Sequence, residues 1–289
     1  MDQNVVSVPV VMGKWKASKL IVSESWAILK QDKEMMLFPI MSIVSSLVAS
    51  ASLGILYLFV LPKGVESELL GGNTIIVYGV LFIYYVVMFF ILNFFQAGIY
   101  IIAHGRFSGK DLSFKDGIDG ALHNAGKIFM WSVISSTVGI LLNIIVDKFK
   151  FIGVIIAKIL GVAWNVMTYF SLPSLVIGNK TISESFKDSA LMIRKTWGET
   201  IIVNFGVGLL FGVLMFLGLA LSIGIIALAP SLFVFMSVLA LYVVYVIILS
   251  IISSTLGSIF KLALYEYAST GVMPAGFSPE VISGAIQRK

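Results

Sequence analysis

Residues 200–260 read TIIVNFGVGLLFGVLMFLGLALSIGIIALAPSLFVFMSVLALYVVYVIILSIISSTLGSIF, sixty-one residues without one Asp, Glu, Lys, Arg or His. A bilayer core about 30 Å thick takes roughly 20 apolar residues per helix. The stretch is too long for one crossing and long enough for two, and Pro230 stands near its middle. Proline removes a helix hydrogen bond and begins helices better than it continues them. The expected structure is a helical hairpin, 200–228 and then 231–260, in a polytopic membrane protein.

Composition extends that reading to the whole chain. Of 289 residues 58% are hydrophobic and 12% charged, with mean hydropathy +1.01. Soluble domains carry about 25% charged residues, so the composition fits a lipid solvent. The net charge of +5 fits basic loops on the inner side of a membrane better than a nucleic-acid partner. There is no Cys, which excludes disulfides, thiolate metal sites and cysteine nucleophiles. No cleavable signal peptide is expected; the first apolar run is too long for one and reads as an uncleaved signal anchor.

Taken in order, residues 14–34 form an amphipathic helix. Ile21, Val22, Trp26, Ile28 and Leu29 are expected on one side and Lys19, Ser23 and Lys30 on the other. Such a helix either lies on the inner membrane surface or packs on the protein's own inner loops. The first span, 39–61, carries a small-residue face at Ser42, Ser46 and Ser50, suited to close helix packing. The second, 74–103, is longer than a bilayer needs, and its last turns, 96–104, are expected to project from the lipid. The third is 128–146. A brief exit at 147–150 returns the chain into a fourth, 159–178, with Pro173 expected to kink its inner end. Gly208 and Gly212 in the fifth span form a GxxxG packing face.

Counting Lys and Arg sets the orientation. Sixteen fall before span 1, between spans 2 and 3, between 4 and 5, and after 6; four (Lys63, Lys148, Lys150, Lys158) fall on the other side. The positive-inside rule then puts both termini in the cytoplasm of a prokaryotic cell, in the plasma or inner membrane.

An internal repeat underlies this layout. Ser113-Phe114-Lys115-Asp116 recurs as Ser185-Phe186-Lys187-Asp188, and Ser23-Glu24-Ser25-Trp26 echoes Ser183-Glu184-Ser185-Phe186. Each copy precedes a span by a similar distance. Exits of the even spans also match: 95–100 resembles 260–265, with 170–173 as a third version. The fold class is therefore all-α integral membrane: six transmembrane helices as three pseudo-repeats of a cytoplasmic amphipathic helix plus a transmembrane hairpin. The repeats cover about 17–104, 111–179 and 181–270 of one membrane domain (1–289), and 271–289 is expected to be a mobile cytoplasmic tail. Thr181 with Glu184, and Ser113 with Asp116, have capping-box spacing. Trp26, Phe114 and Phe186 are expected to dock their helices in equivalent places.

Ser23-Glu24-Ser25-Trp26, followed by 29–34 and Leu37-Phe38-Pro39, resembles the opening of a widespread family of uncharacterised prokaryotic polytopic membrane proteins of unknown function. Residues 194–199 leading into Asn204-Phe205-Gly206 resemble its second signature. The resemblance covers about 17–275 and implies the fold; it brings no functional residues. More distantly, the chain resembles the membrane domain attached to some glycerophosphodiester phosphodiesterases.

Little reactive chemistry is written in the sequence. It has no H-E-x-x-H, G-x-S-x-G or Walker lysine motif. His104 and His123, nineteen apart, read as solvated loop histidines rather than a shared metal site. No catalytic residue, cofactor or metal is expected, and the protein is expected not to be an enzyme. The polar membrane residues singled out are Asn93, Gln96, Asn143, Lys158, Asn165 and Asn204. Interhelical hydrogen bonding is the expected role of the amides, and snorkelling to the outer interface that of Lys158. The expected partners are the lipid bilayer and a membrane-protein partner or a second copy, with no nucleic acid. Two functions fit: a non-enzymatic membrane scaffold or assembly factor, or a carrier or channel for an uncharged or amphiphilic solute along a pseudo-threefold axis.

Overall fold

A computed structural model describes residues 14–59, 74–196, 206–229, 231–279 and 281. The described chain is a succession of helices: α1 (Lys14–Gln31), a 3-10 turn (Lys33–Met36), α2 (Leu37–Phe59), α3 (Thr74–Phe107), α4 (Phe114–His123), α5 (Ala125–Met167), α6 (Ser171–Val176), α7 (Ile182–Thr196), α8 (Gly206–Leu228) and α9 (Leu232–Thr270). Among the described residues five stretches are long and apolar enough to cross a membrane: Lys33–Ile55, Gly79–Phe107, Ala125–Val176, Leu210–Leu228 and Leu232–Thr270. The expected loop between the first two spans lies outside the described residues.

The longest of these stretches is not one rod. Lys150 breaks α5 with φ 47° and ψ −120°, angles of the first central position of a type II′ turn. Gly153 comes against the Ile145 carbonyl so closely that a Cβ there would collide with it, and Gly161 meets Leu142 at 3.6 Å. Contacts on either side of Lys150 make α5 an antiparallel hairpin. The break before α6 also has a cause. Pro173 has no N–H for the Tyr169 carbonyl and its ring crowds that group, and the helix ends at Met167.

Two compact units result. One holds Met1–Met36, Ala103–Lys110 and Arg194–Lys289; the other holds Leu37–Ile102 and Asp111–Ile193. In the first unit α1 packs on α8 and α9. Its inward face is Ser18, Ile21, Ser25, Ile28, Leu29 and Asp32, each at most 7% exposed. Trp26 does not belong to that face. It is 36% exposed and turns towards the side of Lys19 and Lys30, because at 100° per residue it lies nearer to them than to Ile28. Of the described residues after Gly271, expected to be a loose tail, Pro274, Phe277 and Val281 are buried, and Phe277 sits between Phe107 and Phe260 with ring centroids 6.0 and 6.1 Å away.

In the second unit α4 packs on the first hairpin. Phe114 lies 4.6 Å from Phe38, while Gly117 and Gly120 admit Phe38, Ile102 and Ile101 where a side chain would stand. Similarly, α7 packs on the second hairpin through Phe186, 5.9 Å from Trp164, and through Ser189, whose hydroxyl accepts from the Phe170 N–H at 2.9 Å. Each amphipathic helix thus packs on a hairpin other than the one it leads into: α4 on the first, α7 on the second, α1 on the third.

The residues three after Trp26, Phe114 and Phe186 (Leu29, Gly117 and Ser189) are each buried. The exit segments are also buried: 97–100, 262–265 and 170–175. In the last turns of α3, expected to project from the lipid, residues 97–100, 102 and 103 are buried and His104 is exposed. Apolar side chains on the remaining helix surfaces stay exposed, among them Leu47, Phe151, Phe216 and Phe233, as helices in contact with lipid would be. The GxxxG pair has no partner helix either: Gly208 and Gly212 have open space where a Cβ would point, so no packing face forms there among the described residues.

Candidate functional site

In the first unit, charged and aromatic groups gather where α1, α3 and α9 end. The Arg106 guanidinium donates to Asp32 at 3.3 Å, and His104 Nδ1 lies 2.6 Å from Glu266 Oε1. Glu24 accepts the Ser278 N–H at 3.1 Å, and Gly276 comes within contact of Ile28. These bonds tie four separate elements together. Arg106 and His104 owe their positions to the extra turns of α3, a length visible in the sequence; their partners are not visible there. Neither periodicity nor a short motif links residue 32 to residue 106.

The second unit places two of the expected amides at helix crossings. Asn93 donates to the Ser132 hydroxyl at 3.2 Å and Asn143 to the Tyr85 hydroxyl at 3.4 Å. Gln96 is half-buried, while Asn165 and Lys158 are exposed on the second arm of α5; Asn204 lies outside the described residues. The structure does not bring these residues to one place. Between α5 and α7, Lys127 donates to Asn179 at 2.6 Å, and Lys180 pairs with Asp188.

Both expected helix caps form. The Ser113 hydroxyl and N–H donate to Asp116 at 2.7 and 2.8 Å, and the Asp116 N–H returns to the Ser113 hydroxyl at 3.3 Å. Thr181 and Glu184 make the same reciprocal set. The identical tetrapeptides therefore do different local work. Ser113 caps α4, whereas Ser185 is already inside α7 and buried. The Ser113 hydroxyl, then its N–H, hold the Asp116 carboxyl below the usual range; the Thr181 N–H, then its hydroxyl, do so for Glu184.

The α8–α9 hairpin encloses a groove of about 290 Å³ lined by Leu217, Leu221, Ile225, Val238, Tyr242 and Tyr245 among others. The Tyr245 hydroxyl donates to the Leu214 carbonyl at 2.7 Å, and Gly218 lies against the Tyr245 ring. Its walls are apolar, and both tyrosine hydroxyls donate to backbone carbonyls. Among the described residues no three His, Asp or Glu side chains gather as a metal site.

Long apolar helices among the described residues define a protein of helical membrane character. A family of unknown function (DUF6159) matches residues 75–276. The chain belongs to that family. No curated protein and no solved structure matches it, so the more distant likeness to the phosphodiesterase membrane domain gains no support.

Proposed function

We propose that the chain is a six-span scaffold or assembly factor of a prokaryotic cell membrane, non-enzymatic, with both termini in the cytoplasm. The return at Lys150 supports the sixth crossing, since each arm of α5, the second extended through α6, offers the about 20 residues that a bilayer requires. The sixteen-to-four division of Lys and Arg supports the orientation. Three amphipathic helices, each on a neighbouring hairpin, support the three-unit organisation.

One observation carries the scaffold reading: ionisable groups near the buried layer join one element to another, as Arg106 of α3 joins Asp32 and His104 of α3 meets Glu266 of α9. They hold a platform together, and the outer faces of α4 and α7 remain free to present Asp119, Lys187 and Leu191. The carrier alternative draws on the apolar α8–α9 groove, which suits an amphiphilic solute.

The experiment has two arms. Photo-crosslinkers at Asp119 and Leu191 in native membranes should give discrete protein adducts. Vesicles holding the purified protein should pass glycerol no faster than empty ones; saturable flux would transfer the assignment to the carrier. Topology is read separately with cysteines at Phe149, His123, Ala229 and Gly271. An impermeant maleimide should label Phe149→Cys and Ala229→Cys from outside and leave the other two unlabelled.

A further inference from the structure

The charges of α1 are sorted by sign around its axis. Both acids are engaged inward, Glu24 with the Ser278 N–H and Asp32, just past the helix end, with Arg106. Lys19 and Lys30 are exposed, and among the described residues neither makes an ion pair. At 3.6 residues per turn, Lys19, Ser23, Trp26 and Lys30 fall within about 60° of one another, with the two lysines roughly 16 Å apart along the axis. No acidic residue shares that stripe. Its centre is an indole 36% exposed.

An indole between exposed ammonium groups suits a bilayer's headgroup layer, where amphipathic rings settle and anionic lipids attract Lys. The opposite face of α1 is packed on α8 and α9, two of the most apolar helices in the chain, so the stripe is anchored to elements that lipid surrounds. We propose that this stripe docks on anionic phospholipid headgroups of the inner leaflet, with Lys19 and Lys30 on phosphates and Trp26 in the interfacial layer. The proposal rests on the membrane orientation above and is independent of the scaffold role. It names the surface through which α1 is held to lipid while its other face is held to protein.

The cysteine-free chain allows a direct test in nanodiscs. A nitroxide at Ser23→Cys sits within the stripe, and its accessibility to a neutral aqueous nickel chelate reports burial in the interface. Adding about one-third phosphatidylglycerol to phosphatidylcholine discs should lower that accessibility at least about twofold. The double variant Lys19→Gln/Lys30→Gln should abolish the change. A second label at Leu47→Cys, on an exposed face of α2, should report lipid in both discs; if it reports water, the membrane reading itself fails. With that control intact, equal Ser23→Cys accessibility in the two lipids, or protection that survives in the double variant, would overturn the docking. So would protection in phosphatidylcholine discs on adding inorganic phosphate, since a free anion would then be the ligand.

Discussion

Trp131 and Trp164 stack with ring centroids 6.1 Å apart and planes 12° apart, although a continuous helix would separate them by roughly 50 Å. Their meeting makes the long apolar stretch after Ala125 a hairpin. Lys150 holds the turn at a positive φ in a sparsely populated region, which costs a residue with a side chain about 1–3 kcal/mol. Lys150→Gly should therefore raise stability by up to about 1 kcal/mol. Gly153→Val, which drives a side chain into the Ile145 carbonyl, should lower it by about 1–3 kcal/mol. Thermal unfolding in detergent measures both, and the opposite signs would mean that the arms do not meet this way.

Asp116 and Glu184 give α4 and α7 a pH-dependent start. Their carboxyls are held below the ordinary values of 3.8 and 4.5 by bonds that exist only in the capped helix. The contribution is complete above those values and fades as pH falls through the lowered, folded-state ones. Amide exchange across 114–118 should be slower in wild type than in Asp116→Asn at neutral pH, and equal once the pH lies below the folded-state value. Glu184→Gln should behave likewise across 182–186. A difference that persists in strong acid would show that the caps act without their charge.

These caps are legible in the sequence because a capping box is local: four residues contain both donors and both acceptors. The charge-free hairpin, the return at 147–150 and the break before Pro173 are equally local. Pairing at a distance is not. Trp26 is apolar but falls at helical spacing among Lys19, Ser23 and Lys30, and the packing of Ser18 and Ser25 shows which side is inward. The seating of Phe277 is hidden in a Gly- and Pro-rich segment whose composition resembles a linker. Among the polar membrane residues, Asn93 and Asn143 find partners on facing helices. Arg106 and Glu266 look like loop charges in the sequence, because the residues that pair with them lie far along the chain.

Phe38 is wholly buried, and its ring occupies the place of a missing side chain at Gly98 and approaches that of Gly117. Phe38→Ala should cost about 3–5 kcal/mol. Gly98→Ala alone should cost about 1–3 kcal/mol by overpacking. Joined to Phe38→Leu it should cost less than the two changes summed, because the smaller side chain vacates the contested space. Additive losses in a double-mutant cycle would place the ring elsewhere.

The packing of α1 on α8 and α9 makes its own demand on that helix. Helix α1 runs directly into α2 through one 3-10 turn, so the simplest expectation from the chain is that damage to α1 loosens α2. Packing argues otherwise. Ile28 and Leu29 are each 2% exposed on the face that meets α8 and α9, and truncating such residues to Ala costs about 2–5 kcal/mol apiece. The loss should be felt where those contacts end. Hydrogen exchange in Leu29→Ala should accelerate across 255–265 of α9 and around Phe277, while 38–50 of α2 keeps its protection. Phe186→Ala offers the reciprocal check, expected to loosen α5 around Trp164 and spare the α8–α9 hairpin that follows α7. If exchange instead rises in α2 after the first change and in α8 after the second, each helix serves its own hairpin, and the three-unit organisation loses its structural support.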